Sequence, residues 1–427
     1  MSTIVVYPRF RWFVLLALCI ITAAQSMVLI SPAPLMGEIA KMLGMSLGET
    51  TGVTMGAFTL CVAISAIVGR FIIDRIGVVR VFLGSLALLT IGSLLVPVIG
   101  TNVGGITLIR VIQGCGAGPI MAAVSTVAAQ WFPAQERSIV TGVQGMSFGL
   151  GIAIGFVVAP ATFQTTGSWQ AAMAWMSIMS IIGFILALVM AFGPKAPTQD
   201  DLIGPCETTN GKGSDFKLAL RQTATWAGVF CIFLFSWMNQ AFNDLTPAYI
   251  AIESPIGIGL GPMQAGKMMM IYQIAFMIGA ILSGIITEKV FGGRVKPVIL
   301  ISFLLTAIFT FAVKFQVIYS NQSYLLGCLI LAGLFMGWVN PQVMAFISKN
   351  YPAHITGKVG GMTLGIGIFG GTAGVIAGST ALHITGLYQM SISIVSVVAI
   401  LGFIVALNLN PPKAFCIIDD GENSIQV

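Results

Sequence analysis

The chain has 427 residues, of which 57% are hydrophobic and only 8% charged, with a formal net charge of +6. A water-soluble domain carries about 25% charged residues because its surface faces water, so a soluble globular fold is excluded and lipid must solvate most of this chain. The small basic excess calls for no nucleic acid partner.

Backbone in lipid must satisfy its own hydrogen bonds, which leaves helices or closed barrels. Barrel strands would alternate polar and apolar residues over about ten positions. This sequence instead has long, nearly uncharged runs, each able to cross roughly 30 Å of hydrocarbon as a helix. The predicted spans are 10–36, 50–72, 79–100, 104–129, 138–163, 169–193, 223–250, 264–288, 296–316, 322–348, 356–384 and 387–409. Arg9 and Arg11 precede the first run, but it is too long for a signal peptide and leads into further membrane segments.

Basic residues test the count. With both termini cytoplasmic, Arg9, Arg11, Arg70, Arg75, Arg80, Arg137, Lys195, Lys212, Lys217, Arg221, Lys289, Arg294, Lys296, Lys349, Lys358 and Lys413 fall inside. Lys41, Lys267 and Lys314 fall outside, and Arg110 lies within a span. A miscounted helix would invert every later loop, so this asymmetry predicts a multi-pass protein of the cell (inner) membrane with both ends inside.

The polar, Pro/Gly-punctuated stretch 194–222 separates six spans from six. The expected organisation is a six-helix bundle at 1–193, a cytoplasmic linker at 194–222, a second bundle at 223–410 and a tail at 411–427. The linker ends in SDFKLALRQ, an amphipathic stretch with Ser214 placed to cap a short interfacial helix.

Three landmarks recur in order. GMSFGLGIAIG (145–155) returns as GMTLGIGIFGG (361–371). GCGAG (114–118) followed by QWFPA (130–134) returns as GLFMG (333–337) followed by KNYPA (349–353). GRFIIDRIGVVR (69–80) is echoed by GIITEKVFGGR (284–294). An internal duplication predicts an all-α membrane fold of twelve helices in two parallel six-helix repeats, with the substrate site at their interface.

The stretch GRFIIDRIGVVR resembles the loop signature of the major facilitator superfamily at Gly69, Asp74, Arg75, Gly77 and Arg80, with Val78 in place of a basic residue. LIRVIQGCGAG resembles the fourth-helix signature of that family at Arg110, Gln113, Gly114 and Gly118. The resemblance implies a secondary transporter working by alternating access, not an enzyme, with helices five and eleven lining the interface between halves. Asp74, Arg75 and Arg80 are then candidates for a cytoplasmic latch, with Arg137 as partner and Glu288 with Arg294 as the counterpart. These charges otherwise serve only to set topology. Gly145, Gly149, Gly361 and Gly365 are candidate interface glycines, since small residues let membrane helices approach and slide; static close packing is the alternative.

Polar residues inside spans are the candidates for binding cargo, because membranes accept them only at a cost. Arg110 is foremost: its fork of donors suits a carboxylate, phosphate or sulfonate, and its alternative is a strut between helices together with Gln113. Span seven holds Trp237, Gln240 and Asp244 on one helical face, with Pro247 expected to break or kink the outer end. Span ten holds Asn340 and Gln342 beside Pro341, and Gln25, Gln144, Tyr272 and Gln273 complete the set. For each, an interhelical hydrogen bond is the plainer role. Asp244 is the main candidate for energy coupling, or a gate partner of Lys267 or Arg110. Proton symport, sodium coupling, anion exchange and uniport stay open.

No cofactor or metal is expected: a P-loop is absent, and His354 and His383 stand apart from any metal-like cluster. The seven cysteines lie in spans or, as Cys206 and Cys416, on the cytoplasmic side, giving no disulfide framework. The leading expectation is a monomeric carrier that takes up a small organic anion, its partners being that solute, a proton or sodium ion and the bilayer. The alternative is an exporter of hydrophobic compounds or drugs by proton antiport, and more distantly a channel or membrane receptor.

Overall fold

The computed structural model describes residues 8–133, 136–194 and 213–412. Most of the expected linker (195–212) and of the tail (413–427), with Cys206 and Cys416, lies outside the described residues.

Regular structure among the described residues is helical throughout. Helix α1 (Arg11–Ile30) gives way to a 3-10 turn (Ala33–Leu35) and α2 (Met36–Leu43). The break has a sequence cause: Pro32 and Pro34 lack N–H groups, so the Val28 and Ile30 carbonyls lose their helical donors. Helix α3 (Leu47–Thr51) starts at a capping box, in which Ser46 Oγ accepts from Glu49 N at 3.3 Å and Glu49 Oε2 accepts from Ser46 N at 3.1 Å. It runs through a π-helical turn (Gly52–Gly56) into α4 (Ala57–Ile76). Gly77, at φ +84°, reverses the chain into α5 (Val78–Ile99). Asn102 then caps α6 (Val103–Trp131) by accepting from Gly105 N at 2.8 Å.

The chain continues through α7 (Arg137–Thr166), α8 (Trp169–Trp175), α9 (Ser177–Phe192), α10 (Gly213–Leu220), α11 (Thr223–Ala251) and α12 (Gly261–Lys289). It ends with α13 (Val295–Ala312), α14 (Gln316–Tyr319), α15 (Gln322–Met336), α16 (Val339–Asn350), α17 (Ala353–Thr385) and α18 (Tyr388–Ala406). The short helix expected at the end of the linker is α10. Among the described residues, 11 helical segments are long and apolar enough to cross a membrane. The 29-residue α11 has the length but not the apolarity, because Asn239, Gln240, Asn243 and Asp244 occupy its middle. With α11, the expected twelve long helices are all present. Pro247 neither breaks nor ends α11, which continues to Ala251; the interruptions fall instead after Ile30 in span one, at Met176 between α8 and α9 in span six, and at Gly337–Trp338 between α15 and α16 in span ten.

The chain divides into two compact units. The first comprises Met1–Cys206, Asn243–Gln273 and Ser379–Tyr388; the second comprises Glu207–Phe242, Ile274–Gly378 and Gln389–Val427. In the first, Leu18, Ile21, Phe58, Phe82, Leu86, Ile109, Ile120 and Phe132 form a buried core, while Ile64, Ile67, Phe71, Leu94, Val98 and Leu108 are exposed. Exposed apolar side chains on spanning helices are what lipid contact requires. Helices α4 and α6 pack backbone to backbone: a Cβ on Gly118 would lie 2.5 Å from the Ala66 nitrogen, and one on Gly114 2.7 Å from the Phe58 oxygen. This is the work of the GCGAG stretch, whose glycines four apart form a small-residue seam.

The second unit uses the same device. A Cβ on Gly337 would lie 3.0 Å from the Ala280 nitrogen, and one on Gly279 2.9 Å from the Leu334 Cα. On α17, Gly370 and Gly374 face the Phe233 and Trp237 backbone of α11, at 2.8 Å from the Phe233 carbonyl carbon and 2.5 Å from the Trp237 oxygen.

Candidate functional site

The polar centre of the first unit is built around Arg110 on α6, which has no exposed surface. A guanidinium carries five N–H donors in a planar fork, and here the chain supplies an acceptor for each. Nη1 donates to the Val28 carbonyl at 3.0 Å and to Gln113 Oε1 at 2.9 Å. Nη2 donates to the Leu29 carbonyl at 3.0 Å and lies 3.7 Å from Met55 Sδ. Nε donates to the Thr54 carbonyl. The Phe58 ring closes one side, 4.3 Å from the guanidinium carbon.

The origin of these acceptors is local. Val28 is four residues before Pro32, so its carbonyl lacks the usual helical donor. Thr54 and Met55 sit in the π-helical turn, a register that recurs at functional sites. Arg110 thus mends a broken α1 and a distorted stretch ahead of α4 together. Gln113, one turn on, passes the network along by donating from Nε2 to Ser93 Oγ on α5 at 3.0 Å. Gly92 makes room for it; a Cβ there would lie 2.6 Å from Gln113 Cγ.

Every direct partner of the guanidinium is neutral, so its charge is solvated but not cancelled by contact. Asp244 on α11 is 1% exposed and acts on Arg110 electrostatically. Gln25 and Gln273 are also buried in this unit, and neither Oε1 has a hydrogen-bond partner among the described residues. Tyr272 is fully buried beside Gln273 in sequence, and Gln144 on α7 is half-buried.

In the second unit, Trp237 and Gln240 turn their shared face towards α17, where Gly374 and Gly371 accommodate them. The Trp237 and Trp338 indole N–H groups and Asn340 Oδ1 are buried without partners among the described residues. Gln342 is committed elsewhere: it accepts from Thr287 Oγ1 at 2.8 Å and donates to Ser283 Oγ at 3.1 Å, tying α16 to α12.

The expected latch charges are placed differently from their sequence pairing. Asp74, Arg75 and Arg80 are exposed, and Asp74 makes no ion pair among the described residues. Arg137 instead donates to the Phe132 carbonyl from Nε and to the Ala129 carbonyl from Nη2, both at 3.1 Å, closing the end of α6. Glu288 pairs with Lys349 at 2.8 Å rather than with Arg294, and Lys349 also donates to the Gly293 carbonyl at 3.2 Å. Lys349 opens the KNYPA landmark, so its position was visible, but not its partner.

The glycine phrases also divide. A Cβ on Gly145, Gly361 or Gly365 would meet nothing within 4 Å. Close approach falls further along: Gly151 and Gly155 against Ala23, Ser26 and Ile30 of α1, and Gly367 against Ile232 of α11. Gly149 is buried on α7. In the second phrase the packed seam thus begins at the third glycine, Gly367, and in the first it includes Gly151 and Gly155.

The sequence pattern of the Major Facilitator Superfamily matches residues 14–294 and 255–414. The chain belongs to that superfamily, and it is a transporter of small solutes rather than an enzyme. Among similar proteins, the Probable anion transporter 5 of Arabidopsis thaliana is 23% identical over 349 residues, covering 79% of this chain and 78% of the relative. The hexuronate transporter of Bacillus subtilis (strain 168) is 24% identical, covering 76% of each chain. The cis,cis-muconate transport protein of Acinetobacter baylyi is 26% identical, covering 74% of this chain and 75% of its own. A bacterial homolog of the human lysosomal transporter Spinster, solved in an inward-facing, unoccupied conformation, shares the fold with a TM-score of 0.76 at 14% identity over 94% of this chain and 98% of that one.

Proposed function

We propose that the protein takes up a small organic anion across the cell (inner) membrane by alternating access of two six-helix halves, with both termini in the cytoplasm. The observation that carries this reading is the Arg110 charge, fully buried and held by neutral groups. A positive centre in a low-dielectric interior attracts anions over several ångströms, and does so most strongly when Asp244, which acts on it electrostatically, is neutralised by its coupling proton. With its donors already engaged, Arg110 acts on the cargo through its field rather than by a two-pronged grip.

The candidates to recognise the cargo are groups still wanting partners among the described residues: Gln25 and Gln273 in the first unit and, taken separately, Trp237, Trp338 and Asn340 in the second. Buried polar atoms left single cost about 1–3 kcal/mol each, a cost that oxygen atoms of a bound carboxylate or hydroxy acid relieve. The names of the similar proteins, an anion transporter, a hexuronate transporter and a muconate transport protein, support the same class of solute. Asp244 is the coupling group in this reading, as the one acidic residue buried among the described residues, and a proton is its ion.

The test is counterflow in proteoliposomes loaded with a panel of hexuronates, dicarboxylates, aromatic carboxylates, amino acids and cationic drugs. Saturable exchange of one carboxylate class, lost in Asp244→Asn when driven by a proton gradient, is expected. Exchange confined to cationic or apolar drugs would instead establish the exporter.

A further inference from the structure

Two cysteines on neighbouring helices of the first unit have no part in the transport reading above. Cys61 on α4 is half-buried and Cys115 on α6 is exposed, both as free thiols. The two thiols lie within hydrogen-bonding reach of each other. The glycine seam brings them together. Gly114, the residue before Cys115, approaches α4 so closely that a Cβ on it would lie 2.7 Å from the Cys61 Cβ. One turn further along α4, Ser65 Oγ donates to the Gly114 carbonyl at 3.0 Å. One turn further along α6, a Cβ on Gly118 would lie 2.5 Å from the Ala66 nitrogen. The thiols therefore cannot separate far without parting the two backbones. A single cysteine in a membrane helix is a small packing residue; two thiols held against each other are a chelating pair.

The surroundings are apolar. Leu60 and Ile64 of α4 are 42% and 52% exposed, and Leu108, two turns before Cys115 on the same face of α6, is 52% exposed. Such side chains are covered by lipid, so the pair opens towards hydrocarbon. Arg110 is the charged residue nearest to either cysteine in sequence, and it is fully buried with its donors on Val28, Leu29, Thr54 and Gln113.

We propose that Cys61 and Cys115 form a lipid-facing dithiol site for neutral, trivalent organoarsenicals. The reaction is R–As=O + 2 R′–SH → R–As(SR′)2 + H2O. Two arsenic–sulfur bonds form, the arsenic–oxygen bond breaks, and both thiol protons leave with that oxygen as water. Arsenic stays trivalent, so no oxidant or reductant is needed. Reactants and product are neutral, which leaves no charge in the hydrocarbon, where an isolated charge is costly. A monovalent metal ion held by two thiolates would leave a net charge there. The second arsenic–sulfur bond closes within one protein, at the high effective concentration of a tethered group. A monothiol therefore fails to strip the arsenical, whereas a dithiol removes it.

The probe is phenylarsine oxide, added to sealed vesicles carrying protein first reduced with a phosphine. The protein is then purified, washed with mercaptoethanol and weighed by intact-mass spectrometry. In a chain whose other cysteines (Cys19, Cys206, Cys231, Cys328 and Cys416) are replaced by serine, one phenylarsine group is retained per chain, and dimercaptopropanol releases it. Cys61→Ser and Cys115→Ser, made singly, each retain about a hundredfold less after the wash. A glutathione-conjugated, membrane-impermeant arsenoxide leaves the pair unlabelled in right-side-out and inverted vesicles alike. If the serine-substituted chain does not fold, the natural chain is compared with the same two single variants, each of which retains one phenylarsine group fewer. Equal retention in either single variant, or none in the chain that keeps the pair, overturns the site. Labelling by the impermeant reagent overturns its opening to lipid and the proposal with it. The readout needs no cargo, so failure to find a transported anion leaves it unaffected.

Discussion

Arg110 has two properties that pull in opposite directions. A buried guanidinium is costly in a membrane, yet here it is hydrogen-bonded on all sides by carbonyls that a proline and a π-helical turn have exposed. The residue is both a liability and a repair. Lysine would keep the charge but bring three donors on one atom instead of five on a plane. Arg110→Lys is therefore expected to leave at least two acceptors single, lowering stability by about 2–4 kcal/mol. The measurement is the thermal midpoint of the purified protein in detergent, and an unchanged midpoint would show that the acceptors find other donors. The arginine itself was visible in the sequence as the cation deepest inside a span, and its partnership with Gln113 follows from one-turn spacing. Its other acceptors were not, because a π-helical turn is a backbone register that leaves no mark in hydropathy. Asp74 and Glu288 make the same point. Both stand out as acids near helix ends, but the charge each faces depends on how neighbouring helices end, which is why Lys349 rather than Arg294 meets Glu288.

At the scale of helices, glycine decides which pairs touch. The GCGAG stretch places Gly114 and Gly118 against α4 with no room for a side chain, whereas Gly145 stands on α7 with nothing within 4 Å. Gly118→Val is expected to wedge α4 from α6 and cost about 1–3 kcal/mol. Gly145→Ala should leave stability unchanged or raise it by up to about 1 kcal/mol, since alanine only improves the helix. Thermal unfolding separates the two variants, and counterflow adds what stability cannot. If Gly145→Ala unfolds normally yet exchanges solute slowly, the open glycine matters to movement and not to packing. Most spans were legible because some twenty apolar residues in a row have few other uses. The breaks were legible only in part. Pro32 and Pro34 interrupt α1, and the Gly337–Trp338 break lies just ahead of Pro341, but Pro247, with the same chemistry, stays inside a continuous α11. A proline removes one donor and strains one turn; whether the helix then breaks depends on the packing around it.

For the molecule as a whole, the repeated landmarks and the distribution of basic residues point to the same arrangement by independent routes. The landmarks return in the same order in each half of the chain, with Gly114–Gly118 and Gly337 each seating a helix against a neighbouring backbone. The basic residues alternate in abundance from loop to loop as an even number of crossings per half requires. Under the proposed topology of six crossings per half, reporters placed within 195–212 and after residue 412 are expected on the same side as the N-terminus. Tandem enzyme and fluorescent reporters inserted within 195–212 and fused after residue 412 should therefore both report the cytoplasm. Emergence on opposite faces would mean an odd number of crossings between them. The second half would then be inverted with respect to the first, and the parallel repeat with its shared central pathway would have to be abandoned. Lys41, Lys267 and Lys314 sharpen the test, because they are the few basic residues assigned outside. Each counts weakly against the orientation, so adding arginines beside Lys314 should tilt the reporters only if the flanking spans insert independently. An unchanged readout in that variant would show that the orientation is fixed by the earlier helices and carried through the rest of the chain.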